Sequence, residues 1–368
     1  MKRTRVYIGL LCFVVLANSL HSQVDPKAII VGKVADAETG EGLPNVNVFL
    51  DGTTLGVGSD KDGFFIIRNV PRGAYELVVS MVGYERQVIN LQMFEVKDRE
   101  ISVKLKSQAI QTATIEVTAK DPIKWRRNLE RFQKEFLGET RNAKECMILN
   151  PEVLEFRTEP DENVFIAFST MPLKVENHAL GYHMTFYWQE FRLEKGILEF
   201  KAFTKLEELS ATSEDERRRW LDNRKKSYIG SRQHFLSSIA RGTFRDEGFE
   251  VFSMESFDRS ERVIERSQRV EDVTPYVKDT DEVSQKNLSF ENYWQVVFKR
   301  EPPDQNYRFA FHHQDIRTKW QISWITADSM PIIFYTSGEL ENPYALIVYG
   351  YWAFRRIAEF LPLDYESS

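Results

Sequence analysis

The fold of the first part of the chain is decided by residues 59–84, which read SDKDGFFIIRNVPRGAYELVVSMVGY. Tyr75, Leu77 and Val79 occupy alternate positions, as expected of a strand that buries one face and exposes the other. Another alternating run begins directly after Gly63. An Asp-Gly pair between runs of this kind is typical of a tight hairpin turn. The stretch therefore predicts consecutive antiparallel strands.

The same turn carries two carboxylates, and these raise the alternative of a calcium loop. Such a loop needs oxygen ligands at alternate positions and a carboxylate at roughly the twelfth position. Asp60 and Asp62 fit the first two ligand positions, but Phe64 stands at the next one and Pro71 at the twelfth. Neither side chain offers an oxygen to calcium. We therefore interpret the feature as a hairpin turn.

Segments of strand length recur from residue 28 to residue 119, separated by turns rich in Gly, Asp and Pro. They are AIIVGKV, VNVFL, FFIIRNV, AYELVVSMV, RQVINL, EISVKL and ATIEVT. Short strands at this spacing, with no helix between them, are typical of a β-sandwich made of two sheets.

Ordered motifs in this part of the chain resemble a known family. They are Gly32-x-Val34-x-Asp36, Thr39-Gly40, Leu43-Pro44, Ser59-Asp60-x-Asp62-Gly63-x-Phe65, Val70-Pro71-x-Gly73-x-Tyr75 and Val82-Gly83-Tyr84. Residues 23–119 resemble the carboxypeptidase regulatory-like domain, a transthyretin-like, Ig-like β-sandwich frequent in exported proteins of Bacteroidota. The resemblance implies a fold but no activity, because this sandwich accompanies peptidases, outer-membrane receptors and many unrelated partners.

Residues 1–22 have the composition of a secretory signal peptide, with a basic start, an apolar run and a small residue before the expected cleavage after Ser22. Leu11 precedes Cys12, so the small residue that a lipoprotein signal requires is missing. Removal of this leader changes the formal net charge from −6 to about −9, which argues against nucleic acid as a partner. Cys146 then remains as the single cysteine, and no other segment is apolar and long enough for a transmembrane helix.

Residues 120–368 differ in composition, since all seven tryptophans of the chain lie there. Strand patterns such as GYHMTFYWQEFRLE, YRFAFHH and TKWQISWIT alternate with helix signals. Asp121, Ser213 and Ser231 are placed as N-caps of three helices. We expect an α+β domain with a large antiparallel sheet, and a mobile insert at residues 255–290. The predicted fold class is thus mainly β, with an α+β second part.

Four phrases in this second part also look familiar: NPEVLEF, ENHALGYHMTFY, YIGSRQHFL and GYWAFRRIAEFLPLDY. They resemble a group of exported Bacteroidota proteins that pair the same sandwich with an α+β region of no known activity. The resemblance implies no catalytic residues. Burial of the aromatic side chains in these phrases would make them determinants of the fold, whereas a shared cleft would favour an enzyme.

Catalytic motifs give little support to an enzyme. A zinc carboxypeptidase needs His-x-x-Glu with a further histidine, and no histidine of this chain is followed by Glu at that spacing. HExxH and the GxSxG nucleophile elbow are also absent from the sequence. We therefore predict no catalytic residues, no metal ligands and no cofactor.

Basic residues are concentrated on the helices at 213–242. The simpler interpretation is a solvated helix face. The alternative, since export removes DNA as a partner, is contact with acidic envelope material such as lipopolysaccharide phosphates. The candidate binding residues, chosen near the junction of the two helices, are Tyr228, Ser231, Arg232 and His234.

The sequence thus predicts a non-catalytic binding or scaffold protein of the cell envelope, periplasmic or associated with the outer membrane, that contacts another envelope protein or a glycan. Two alternatives stay open. One is a hydrolase of unrecognised type in the second domain, and the other is an accessory of an outer-membrane transporter of the TonB-dependent type. Oligomeric state is not predicted.

Overall fold

A computed structural model describes residues 27–365 except 94, 96, 109–120, 160–163, 170, 195–196, 257–267, 283, 311–318, 328–329 and 343. The expected signal peptide and its cleavage site lie outside the described residues, as do Cys12 and the whole of the expected strand ATIEVT. Within the described part, no helix is both long and apolar enough to cross a membrane.

The first part of the chain is the expected β-sandwich. Its strands are β1 (Ala28–Asp36), β2 (Asn47–Leu50), β3 (Gly56–Gly58), β4 (Phe64–Val70), β5 (Ala74–Ser80), β6 (Gln87–Gln92) and β7 (Arg99–Leu105). One sheet has the order β4-β1-β7 and the other the order β3-β2-β5-β6. Tyr75, Leu77 and Val79 are buried between them, so the alternation in the sequence correctly identified the inner face.

The Asp60 turn is tight, but the hairpin expected here is wrong, because β3 before the turn pairs with β2 whereas β4 after it pairs with β1 in the other sheet. Asp60 Oδ1 accepts hydrogen bonds from the backbone N–H groups of Asp62 and Phe64, at 2.9 and 2.8 Å. Gly63 adopts a φ of +84°, and a Cβ on it would lie 2.2 Å from the carbonyl oxygen of Val34. Glycine is therefore required here by both backbone conformation and space. The Asp60 carboxylate is committed to the turn itself.

The second part begins with a helix packed on a twisted antiparallel sheet. The elements are α1 (Pro122–Leu137), β8 (Cys146–Ile148), β9 (Glu155–Glu159), β10 (Val164–Phe168), β11 (Leu173–Asn177), β12 (Tyr182–Glu194) and β13 (Ile197–Glu208). The sheet order is β8-β11-β12-β10-β9, with β13 paired to β12. Phe132 and Phe136 of α1 are buried against Trp188 and Phe191 of β12.

Two consecutive helices connect this sheet to the remaining strands. The elements are α2 (Glu214–Tyr228), α3 (Arg232–Arg241), β14 (Phe249–Met254), β15 (Gln268–Val270), β16 (Val277–Asp279), β17 (Gln285–Leu288), β18 (Tyr293–Phe298), α4 (Gln305–Ala310), β19 (Gln321–Thr326), β20 (Ile332–Tyr335), β21 (Ile347–Gly350) and α5 (Tyr351–Phe354). They form a five-stranded sheet, β15-β14-β18-β19-β21, and a three-stranded sheet, β16-β17-β20. Strand pairs in both sheets are antiparallel, and Phe235 and Leu236 of α3 are buried in the core with them.

Two further details differ from the sequence-based expectations. YRFAFHH, residues 307–313, was expected to be a strand, but Gln305–Ala310 is helical, because Asp304 Oδ1 accepts a hydrogen bond from the N–H of Asn306 and starts the turn. The last three residues of the expected strand lie outside the described residues. Residues 268–288, inside the expected mobile insert, contribute three strands, and Val270 and Leu288 are buried in the core. This part of the range packs with the domain because its few apolar side chains point inward.

The sandwich contacts the second part through the turn after β2. Gly52 N–H donates to the carbonyl of Thr204 at 2.8 Å, and Leu206 N–H donates to the carbonyl of Thr53 at 3.1 Å. The C-terminal residues join the same contact, since Leu363 N–H donates to Gly52 O at 2.9 Å. β13 and the chain end thus hold the sandwich by backbone hydrogen bonds.

Candidate functional site

The junction of α2 and α3 is built by a capping serine and a glycine. Ser231 Oγ accepts a hydrogen bond from the N–H of His234 at 3.1 Å and so caps α3, as the sequence predicts. Gly230, between the helices, has a φ of +73°. Its carbonyl accepts a hydrogen bond from Trp352 Nε1 at 2.8 Å, which fixes the junction against α5.

His234 is fully engaged on both ring nitrogens. Nδ1 accepts a hydrogen bond from the N–H of Gly230 at 3.0 Å, and Nε2 lies 2.7 Å from Glu247 Oε2. Because Nδ1 accepts, the proton of the neutral ring is on Nε2 and points at the carboxylate. Burial lowers the pKa of His234. The ring therefore has no free lone pair with which to act as a general base.

Glu247 holds several donors at once. Its carboxylate accepts hydrogen bonds from the Arg241 guanidinium at 3.0 and 3.1 Å and from the Thr243 hydroxyl, in addition to the His234 ring. Burial acts to raise the pKa of Glu247, but the hydrogen bonds from Thr243, Arg241 and His234 outweigh it and the pKa is lowered. Glu247 is thus an ionised group that organises its neighbours.

A cavity of about 450 Å³ opens beside this network. Its lining residues are Lys225, Tyr228, Ile229, His234, Arg241, Glu247, Arg300 and Glu301. We call it the basic pocket, because it has three cations against two carboxyl groups. Lys225 is exposed and, among the described residues, forms no ion pair. Arg300 donates to the backbone carbonyl of Asp246 and to no described carboxylate.

Glu301 differs from Glu247 in its environment. Burial raises the pKa of Glu301, while the positive charges of Arg355 and Lys226 lower it by less. The two carboxyl groups of the pocket therefore have pKa values shifted in opposite directions. Such a pair is a feature of some hydrolase active sites.

The sequence-predicted binding residues divide between this pocket and its surroundings. Tyr228 and His234 line it, and their rings lie 5.1 Å apart. Ser231 is used as the cap of α3 and does not line the pocket. Arg232 also lies outside it, half-buried, with a pKa lowered by burial and no ion pair to a described carboxylate.

Other lining residues were not singled out from the sequence. Arg241 belongs to the basic run on α3, and Glu247 follows that helix. Arg300 and Glu301 come from the chain after β18, about 60 residues later, and no local pattern connects them to the helices. Only the packing of β18 beside β14 brings them to the pocket.

The familiar phrases of the second part converge, since Trp352 Nε1 donates to Gly230 O at 2.8 Å and Asn177 Nδ2 donates to Ala358 O at 3.0 Å. Several of their aromatic side chains are buried, whereas Tyr228 is half-buried and lines the basic pocket. Backbone carbonyls of ENHALGYH accept hydrogen bonds from α2, for example His178 O from Trp220 Nε1 at 2.8 Å and Leu180 O from Arg224 Nε at 2.7 Å. Tyr182 and Trp352 are 2% and 7% exposed. These phrases therefore determine the fold.

Reactive groups elsewhere are inert or dispersed. Burial raises the pKa of the Cys146 thiol to about 12, so it is protonated at neutral pH. Among the residues that the structure describes, no group of three or more His, Cys, Asp or Glu side chains is arranged to hold a metal ion.

Comparison with known families identifies the first part. Residues 30–117 match the model of the CarboxypepD_reg-like domain. The chain is thus a protein that contains a carboxypeptidase regulatory-like domain, and the β-sandwich described above is that domain. No curated protein matches the chain.

Several solved structures share local similarity with the chain. A cohesin–X-dockerin complex from Acetivibrio cellulolyticus is 21% identical, with 21% of this chain and 52% of that chain covered and a TM-score of 0.19. A membrane-associated protein of unknown function from Bacteroides fragilis NCTC 9343 is 18% identical, covering 44% and 64%, with a TM-score of 0.19.

A third similar structure is that of a protein from Bacteroides uniformis ATCC 8492 described as carbohydrate-binding. It is 10% identical, covers 50% of this chain and 80% of that chain, and has a TM-score of 0.18. The chain spans about half the length of the first of these structures. Superpositions at this level carry no argument about function.

Proposed function

We propose that this protein is an exported, non-catalytic binding protein of the cell envelope, and that its basic pocket holds an anionic group of an envelope glycan. The observation that carries the proposal is a partly enclosed cavity with Lys225 and Arg300 free of described carboxylates. The export signal at residues 1–22 supports a periplasmic or outer-membrane location.

Charge supports an anionic ligand. The mature chain has a net charge of about −9, so a pocket with more cations than carboxyl groups is a local exception. Lys225 and Arg300 offer charge-assisted hydrogen bonds, which are the stronger ones in proteins. Phosphate and carboxylate groups of acidic glycans are suited to such donors.

The pocket also offers an apolar face. Tyr228 is half-buried, and its ring packs against His234 at 5.1 Å and Tyr365 at 5.9 Å. Ile229 lines the same cavity. An aromatic ring held in place in this way suits contact with a sugar ring, while the cations hold its acidic substituent.

A hydrolase is the second candidate, favoured by the opposed pKa shifts of Glu247 and Glu301. Binding is the better supported of the two, because the Glu247 oxygens are occupied by Arg241, Thr243 and His234. A carboxylate held by these donors has little capacity left to activate water or attack a sugar.

The test is equilibrium binding of the full mature chain to purified lipopolysaccharide, beside the same material with its phosphates removed. We expect binding that weakens with salt and with dephosphorylation. The double variant Lys225→Ala, Arg300→Ala should weaken it by about 100-fold or more, since hydrogen bonds to charged groups contribute about 1.5–3 kcal/mol each.

The matched control is Arg217→Ala, which removes a cation from α2 outside the pocket. Arg217 is 65% exposed and 3.7 Å from Glu214, so its loss should change affinity less than about twofold. Equal binding by the double variant and the parent chain would contradict the pocket. Release of sugar fragments by the parent chain would instead favour the hydrolase.

A further inference from the structure

The surface between the sandwich and the second part contains carboxyl groups at its centre. Asp51 Oδ1 accepts a hydrogen bond from the N–H of Thr204 at 2.6 Å. Asp364, near the chain end, accepts from the N–H and the hydroxyl of Thr54, at 2.9 and 2.5 Å. Each carboxyl group thus reaches across the contact to a group of the opposite part. We call this surface the docking interface.

Two further acidic side chains lie near the docking interface. Glu339, after β20, is half-buried and lies in the electrostatic field of Asp51 and Asp364. Its side chain has no hydrogen bond or ion pair with any described residue. The negative charge of Glu76, on β5, raises the pKa of Asp51.

Two cations lie near this surface. Arg86 of the sandwich packs over the Tyr187 and Phe203 rings of the second part, at 5.2 and 5.7 Å from their centres, and Lys201 Nζ lies 5.0 Å from the centre of the Tyr344 ring. Neither is among the groups that shift the pKa of Asp51 or Glu339. The titratable and charged groups around the interface are Asp51, Glu76, Arg86, Glu190, Lys201, Glu207, Glu339, Asp364, Tyr75, Tyr187, Tyr335 and Tyr344.

Carboxylates that share a buried site cannot all be ionised without a large cost, so one or more retain a proton. Burial raises the pKa of Asp51 to about 7, with the charge of Glu76 adding to it. Burial raises the pKa of Glu339 to about 8, with the charges of Asp51 and Asp364 adding to it. When the parts separate, water solvates these groups and their ordinary pKa values return.

We propose that the docking of the sandwich onto the second part is linked to proton binding by Asp51 and Glu339, so that the two parts separate more readily as the pH rises. The docked form binds more protons than the separated form between the ordinary and the raised pKa values. The contribution to docking is complete below about pH 4 and is lost as the pH rises through about 7 and 8.

Amide hydrogen exchange of the full mature chain tests this linkage, because the contact is made by identifiable amides. Those of Gly52, Leu206 and Leu363 donate across the docking interface. Exchange rates are corrected for intrinsic exchange chemistry and compared with those of the Val34 and Phe249 amides. Val34 N–H donates to a carbonyl within the sandwich, and Phe249 N–H donates to a carbonyl within the second part. Protection of the interface amides should fall between pH 5 and 7, by up to about tenfold per pH unit for each of the two groups.

Variants identify the groups responsible. Glu339→Gln should reduce the pH dependence, and the double variant Asp51→Asn, Glu339→Gln should remove most of it. Glu341→Gln is the matched control, since Glu341 is exposed on the same loop and accepts from Gln285 Nε2 at 3.2 Å. In this variant, protection of the interface amides should depend on pH as it does in the parent chain.

Two results would overturn the proposal. The first is corrected protection at Gly52, Leu206 and Leu363 that stays constant from pH 5 to 8 in the parent chain, a measurement that needs no variant to fold. The second is a double variant with the same slope as the parent chain. Neither result depends on whether the basic pocket binds a glycan.

Discussion

The basic pocket and the docking interface handle buried carboxyl groups in opposite ways. In the pocket, Glu247 stays ionised because Arg241, Thr243 and His234 donate to it. At the interface, Glu339 has no such donor in the described chain, and burial raises its pKa to about 8. Burial is offset at Glu247 by several side-chain donors, one of them a guanidinium, whereas the backbone donors of Asp51 do not offset its burial.

The largest effect is expected from removing the acceptor at the pocket. Glu247→Ala leaves the His234 ring and the Arg241 guanidinium without their partner. We expect a loss of about 1–3 kcal/mol in the free energy of unfolding, measured by urea denaturation, because the His234 ring N–H is left buried without an acceptor.

Asp246→Ala is the control for this change. Asp246 is the exposed neighbour of Glu247, and its loss removes the same charge from the surface. It should cost no more than about 0.5 kcal/mol. If Glu247→Ala lowered the free energy of unfolding by no more than Asp246→Ala does, the hydrogen bonds to the Glu247 carboxylate would not stabilise the fold.

Acidification is expected to act on the two regions in opposite directions. Burial lowers the pKa of His234, so its contribution is complete above about pH 6.5 and is lost as the pH falls. The raised pKa values of Asp51 and Glu339 have the reverse consequence, since their contribution is lost as the pH rises. Each titrating group changes stability by at most about 1.4 kcal/mol per pH unit.

Local hydrogen exchange between pH 5.5 and 8 measures both trends in one sample. Corrected protection of the Gly230 amide, which donates to His234, should rise with pH. Corrected protection of the Leu363 amide at the docking interface should fall. Parallel trends at both amides would remove the contrast between the regions.

The smallest effect is expected at the cap of α3. Ser231→Ala removes the acceptor for the His234 N–H and should cost about 1 kcal/mol. Amide hydrogen exchange should become faster at Gly230, beside the pocket, and stay unchanged at Leu363, in the docking interface. Ser213→Ala, which removes the corresponding cap of α2, is the comparison and should leave exchange at Gly230 unaltered.

Local signals predicted much of the fold. The helices α1, α2 and α3 begin at the expected caps Asp121, Ser213 and Ser231, because a capping side chain acts on backbone groups two or three residues away. The strand expected for YRFAFHH was wrong over residues 307–310, since alternation along the sequence did not outweigh the Asp304 turn.

The candidate site was predicted only in part. Tyr228 and His234, chosen because they lie near the helix junction, line the basic pocket, and their role in binding stays a prediction. Arg300 and Glu301 were missed, since the residues around them show no helix periodicity or motif. The expected signal peptide, domain bounds and cellular location stay predictions.

The amino-acid sequence by itself determined the sandwich, the caps of three helices and the lack of known catalytic motifs, because these depend on periodicity and on neighbours along the chain. Only the tertiary structure brings Arg300 and Lys225 to the lining of one pocket. It also brings Asp51, Glu339 and Asp364 close enough to interact electrostatically. Ionisation depends on the distance to other charges and on exclusion of water, and both arise only when distant segments pack together.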